Sequence, residues 1–264
     1  MFSLLQFDGP VLIAVVCVIL FAGLVHGTLG LGFPMVATPI LATMMDVRSA
    51  ILVTLLPTMA VNIASIINSR SSLASTRPFI PLVGFTLLGS IAGAAVLAAT
   101  DPAPFRIVLA SLILLYLWSS LRISRQWLDD NAMIAMAGFG IAAGLAAGTT
   151  NVMVAVLIIY FLSLDTARAT MVPTLNACFL VGKASQILVL AIAGLVGFGL
   201  IIETTPLALA AIVALLLGQR LRSRIEVATY QSILRKLLLV LAAILIYQFL
   251  NEAGLFPWTT AQSG

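Results

Sequence analysis

Charge is scarce in this chain. Of its 264 residues 62% are hydrophobic and only 8% are charged, with a mean hydropathy of +1.19, whereas a water-soluble domain carries about a quarter charged residues. That deficit excludes a soluble globular enzyme and a disordered tail. Cysteine is nearly absent: Cys17 and Cys178 are too few for a disulfide scaffold, and neither sits in a CxxC or Cys/His cluster, so no metal or cofactor motif exists. Both read as buried, soft apolar residues. Histidine occurs once, at His26. With no Gly-x-Ser-x-Gly serine, no paired membrane aspartates and no His-Glu-x-x-His, there is no catalytic set for intramembrane hydrolysis, and the chain reads as a non-enzyme. No Lys or Arg precedes Arg48, so the basic start of a cleavable signal peptide is missing. The apolar runs are continuous rather than alternating, which disfavours a transmembrane barrel. What remains is an all-α, polytopic membrane helical bundle.

Thirteen basic residues against nine acidic ones leave a net charge of +4 and a pI of about 9.5. They are scattered between apolar segments instead of forming one patch, which argues for membrane topology and against nucleic acid. Eight apolar runs follow, at roughly 10–45, 49–68, 79–99, 104–122, 131–163, 166–196, 201–218 and 229–250. Two have an awkward length. As single helices 10–45 and 131–163 would each reach about 50 Å, yet each is too short for two spans of a core about 30 Å thick plus a turn. Each must be broken, at His26-Gly-Thr-Leu-Gly-Leu-Gly-Phe-Pro34 and at Gly144-Leu-Ala-Ala-Gly-Thr-Thr-Asn151.

The broken runs open two related halves. Thr54, Pro57 and Thr58 match Thr170, Pro173 and Thr174, at nearly equal distances from the two breaks. The organisation is therefore a first membrane repeat at 1–122, a cytoplasmic linker at 123–130, a second repeat at 131–250 and a C-terminal tail at 251–264. Arg70, Arg77, Arg122, Arg125, Arg220, Arg222, Arg224, Arg235 and Lys236 crowd three connections, which the positive-inside rule makes cytoplasmic. A re-entrant hairpin followed by three spans, twice, satisfies this with both termini outside and the halves inverted. Two fully crossing broken runs would instead make the repeats parallel. The inverted arrangement is favoured because transporters built on inverted repeats place paired broken helices at the binding site.

A helix that starts inside the membrane leaves its first backbone N–H groups without intrahelical partners, and its positive dipole end attracts anions. The spacing predicts such starts near Pro34 and Asn151, with Gly30, Gly32, Phe33 and Pro34 forming the first half-site. Thr149, Thr150 and Asn151 are expected to cap the second helix or to donate directly to an oxyanion. Lys183 lies roughly ten residues from either end of its apolar stretch, with no acidic residue at that depth. It should face a wet cavity, bind an anion or shed its proton; snorkelling to an interface is the structural alternative. Asn176 and Gln186 share its helix face, and Asn62 in the corresponding helix adds a donor or an interhelical hydrogen bond. His26 edges the first break, where it takes a proton-linked role or bonds the broken backbone. Asp46/Arg48 and Asp165/Arg168 read as caps and topology charges, and Trp118, Trp127 and Trp258 as interfacial anchors.

The pattern Gly27-x-x-Gly30-x-Gly32 followed by an apolar helix bearing Pro39, repeated in weaker form at Gly144 and Gly148, resembles the sulfite exporter TauE/SafE family. Phe33-Pro34 and Thr149–Asn151 stand where members often carry a longer glycine run. The resemblance covers nearly the whole chain. It implies a bacterial membrane transporter of eight segments in two related halves, acting on anions of the sulfur cycle such as sulfite and organosulfonates.

Together these readings point to a multi-pass secondary transporter of the bacterial inner membrane, exporting a small sulfur oxyanion by alternating access. A passive anion channel and a thiol oxidoreductase using Cys17 and Cys178 are the alternatives. The partners are a small anionic substrate and the lipid bilayer, with a coupling ion and a homo-oligomeric assembly left open, and no nucleic acid or cofactor.

Overall fold

Apolar runs in a medium without water must satisfy their backbone internally, so they fold as helices. The computed structural model describes residues 4, 7–68, 73–118, 122–221 and 227–253, and among these every regular element is helical. In the first half the helices are α1 (Gly9–Leu29), α2 (Phe33–Ala42), α3 (Val47–Asn68), α4 (Ile80–Ala99) and α5 (Phe105–Leu117). A linker helix α6 (Arg125–Asp130) leads to α7 (Ala132–Thr150), α8 (Val154–Ser163), α9 (Arg168–Ile192), α10 (Phe198–Leu221) and α11 (Val227–Glu252). A 3-10 turn, Leu73–Phe79, precedes α4. Among the described residues seven helices are long and apolar enough to span a membrane; α2, α5 and α8, at 10, 13 and 10 residues, are not.

Both overlong runs break, each into a long and a short helix. α1 has 21 residues, about 31 Å, and α2 has 10, about 15 Å. Gly30 (φ +83°) ends α1 and Gly32 (φ +106°) precedes α2, so this turn needs two residues in the left-handed region that only glycine enters without strain. In the second half one residue does that work: Asn151 ends α7 at φ +66°, and asparagine is among the few side chains that tolerate it.

Small residues set the packing between the halves. A Cβ on Gly23 or Gly27 of α1 would collide with Ala211 or Leu215 of α10, and one on Gly144 or Gly148 of α7 with Thr86 or Ser90 of α4. In both pairs the residue numbers climb together, so α1 runs parallel to α10 and α7 parallel to α4. Each is a small-xxx-small crossing that brings backbones into contact, the usual source of attraction between helices in lipid. The first helix of each half thus packs on the fourth of the other, while α3 meets α9 and α5 meets α11.

Several charged groups sit at helix ends. Asp46 accepts from the backbone N–H and hydroxyl of Ser49, capping α3, and Arg48 donates to the carbonyls of Leu97 and Thr100 at the end of α4. Arg122 and Arg125 pair with Asp165 ahead of α9, and Arg106 pairs with Glu252. Trp118 and Trp127 are exposed. Arg70, Arg222, Arg224 and Trp258 lie outside the described residues. The reading of two buried cysteines needs correction, because the α1 face that carries Cys17 is turned outward: Cys178 is buried on α9, but Cys17 is exposed, and both are free thiols.

Candidate functional site

The second break is built around Asn151. Its backbone N–H closes α7 on the Ala147 carbonyl (3.1 Å), and its side-chain amide donates to the Thr38 hydroxyl (3.1 Å) on α2 and the Thr54 hydroxyl (3.0 Å) on α3. Its remaining oxygen accepts from the Lys183 ammonium. Lys183 also donates to Gln186 Oε1, and the Gln186 amide donates to the carbonyls of Ala147 (3.2 Å) and Gly148 (2.8 Å) in the last turn of α7. All five side chains are buried, Lys183 at 3% exposure. A charged side chain at the centre of a membrane helix costs about 2.5–3.5 kcal/mol on insertion scales. Among the described residues no carboxylate pairs with it; two neutral carbonyl oxygens do. They occupy two of the three ammonium donors.

The first break is tied differently. The Gly30 N–H donates to the His26 carbonyl (2.7 Å), the Phe33 N–H donates to His26 Nδ1 (3.3 Å), and His26 Nε2 faces Ser65 Oγ at 2.9 Å. Since Nδ1 accepts, the ring proton belongs on Nε2, toward the serine. Asn176 donates to the Gly30 carbonyl (3.3 Å), and Arg168 donates to that of Leu29 (2.5 Å). Thus α3 touches the second break through Thr54 and the first through Ser65, whereas α9 touches the first break through Arg168 and Asn176 and the second through Lys183 and Gln186. The two helices run in opposite senses between the breaks.

Several expectations change at this point. Thr149 and Thr150 do not cap the following helix: they belong to the last turn of α7, where their hydroxyls donate back to the carbonyls of Leu145 (2.7 Å) and Ala146 (2.8 Å), as threonines inside helices do. Asn151 closes α7, and α8 begins three residues later at Val154. The N-cap positions of α2 and α8, Gly32 and Met153, contribute no side-chain bond. At α2 the Phe33 N–H is taken by His26 and Pro34 has none, so the first half-site offers fewer backbone donors than its dipole suggests. Asn176 shares a face with Lys183 and Gln186 but bonds the other break. Asn62 donates to the Thr58 carbonyl (2.8 Å), leaving its oxygen without a partner, as are Asn176 Oδ1 and Thr58 Oγ1.

An alignment made on helix starts differs in register from the sequence match. α2 and α8 are both ten residues long, and α3 starts at Val47 as α9 starts at Arg168. In that register Gly30 corresponds to Asn151, Asn62 to Lys183 and Ser65 to Gln186. The Thr54/Pro57/Thr58 similarity to Thr170/Pro173/Thr174 lies about one and a half turns away from it.

Sequence reasoning missed Thr38, Ser65 and Arg168 as members of the two sites. Nothing local to Thr38 or Ser65 marks them; Arg168 carried a signal, its position at a matching return beside a break.

A family model described as Sulfite exporter TauE/SafE matches residues 15–248. No curated protein and no solved structure matches the chain.

Proposed function

The chain belongs to the sulfite exporter TauE/SafE family of membrane anion exporters, and from that premise we propose that it is a secondary transporter of the bacterial inner membrane, moving a small sulfur oxyanion outward by alternating access around Lys183. The observation that carries this reading is Lys183 itself. It is a buried ammonium held by two neutral oxygens, Asn151 Oδ1 and Gln186 Oε1, with a third donor left over. An anion at that donor completes the charge, and α8, whose N-cap supplies no side-chain bond, adds the positive end of its dipole close by.

The opposite sense of α3 and α9 between the breaks, and the parallel pairs α1/α10 and α4/α7, support two inverted halves that rock about the central site. Orientation follows from charge. Arg168 beside Leu29, Arg220 at the end of α10, and Arg122 and Arg125 on Asp165 gather on one face, which the positive-inside rule assigns to the cytoplasm.

Sulfite and organosulfonate flux in proteoliposomes tests the reading. Lys183→Gln folds and loses transport; wild-type rates in that variant overturn the site. Saturation and counterflow distinguish a carrier from a conducting pore.

A further inference from the structure

A second cationic cavity lies apart from Lys183. It has a volume of about 260 Å³ and opens beside the first break, between that break and α5, α8, α9 and α11. Arg168 and Arg235 line it together with Tyr116, and the rest of the wall is aliphatic, including Ile158, Met171 and Leu234. Among the described residues that line it, none is acidic. Its size falls just below the roughly 300 Å³ at which small-molecule pockets begin.

The chemistry of this wall is two-sided. Guanidinium groups present planar donor forks that hold two oxygens of one oxyanion at once, which a point charge does not. Both arginines are exposed, so an anion reaches them from water without a desolvated path. The aliphatic wall has no use for a bare inorganic ion, which would leave it hydrated. An organic sulfonate uses both: its three oxygens meet the arginines while its carbon chain covers Ile158, Met171 and Leu234. Position matters as well. Arg168 also donates to the Leu29 carbonyl, one residue before the Gly30 turn, so a head group held here touches the backbone that ends α1.

We propose that the Arg168–Arg235 cavity is a receiving site on the basic face for organic sulfonates with a short apolar chain, which it selects over inorganic sulfite before they pass to Lys183. This deepens the transport reading above and rests on it for the second step, whereas binding to the cavity is measurable without transport.

Calorimetric titration of the purified protein with sulfite, methanesulfonate and butanesulfonate tests it. Burying the extra methylenes makes butanesulfonate bind at least tenfold more tightly than methanesulfonate. Arg235→Gln weakens both sulfonates about tenfold and keeps their ratio. Met171→Ser, which leaves every charge in place, collapses the ratio toward one. Lys183→Gln abolishes flux yet retains the chain-length preference in binding. An affinity independent of chain length, or an Arg235→Gln variant that binds butanesulfonate as the wild type does, overturns the proposal. If the wild type moves no anion but still prefers the longer sulfonate, the transport reading fails and the cavity stands.

Discussion

Lys183 donates to the side-chain oxygen of Asn151, the residue that ends α7 in the left-handed conformation. One side chain therefore closes a helix, holds Thr38 and Thr54 of the opposite half through its amide, and carries a buried cation on its oxygen. Backbone shape and site charge are fixed by the same group.

Asn151→Asp tests that coupling. Aspartate tolerates the left-handed backbone, so the break survives, but the variant gives Lys183 a full counter-charge and removes the donor to Thr38 and Thr54. Anion transport should fall at least tenfold while the detergent-purified protein remains monodisperse. Flux measured beside size-exclusion profiles separates loss of function from loss of fold.

Asn151→Gly asks the complementary question. Glycine keeps the turn and removes every side-chain bond, leaving Lys183 with Gln186 alone. Losing charge-assisted hydrogen bonds of this kind costs about 1.5–3 kcal/mol, so both the melting temperature and anion affinity should drop. Thermal unfolding with and without added sulfite reads both effects.

The close crossings make a sharper stability prediction. A Cβ on Gly27 would lie 2.2 Å from the Leu215 carbonyl oxygen, and one on Gly148 2.5 Å from the Ala94 nitrogen, whereas at Gly138 nothing stands within 4 Å. Gly27→Ala and Gly148→Ala should each destabilise by about 1–3 kcal/mol, the range for overpacking against groups that cannot swing aside. Gly138→Ala should be neutral or slightly stabilising because alanine favours the helix. Unfolding midpoints of the three variants in one detergent check this.

Orientation is testable by labelling. In a Cys17→Ser, Cys178→Ser background, a cysteine at Gln126 on the linker helix should react only after the membrane that holds the protein is permeabilised. One at Ala103, between α4 and α5, should react with a membrane-impermeant maleimide added to intact cells. The reverse pattern overturns the assignment of the basic face.

The helical class, the two breaks and the isolation of Lys183 were legible in the chain because each rests on composition or on run length. The roles of Thr149, Thr150 and Asn151 were not. A Thr-Thr-Asn string reads equally well as the start of one helix or the end of another, and the choice is made by the backward bonds to Leu145 and Ala146 and by partners on α2 and α3 far away in sequence. The Thr54 match departs from the register of the helix starts for a related reason. Thr54-x-x-Pro57-Thr58 and its counterpart are local likenesses, whereas the alignment that matters is set by which residues meet the breaks, and Ser65 and Gln186 share no side-chain chemistry that a string comparison would notice.

The exchange of partners between halves bears on how the protein is made. During synthesis α1 enters the bilayer well before α10, the helix whose surface accepts Gly23 and Gly27. Until α10 follows, that glycine stripe faces lipid or a chaperoning insertase. Neither half can complete its packing alone, so assembly waits for α10, and two half-length chains expressed separately should find each other in the membrane and rebuild the same crossings.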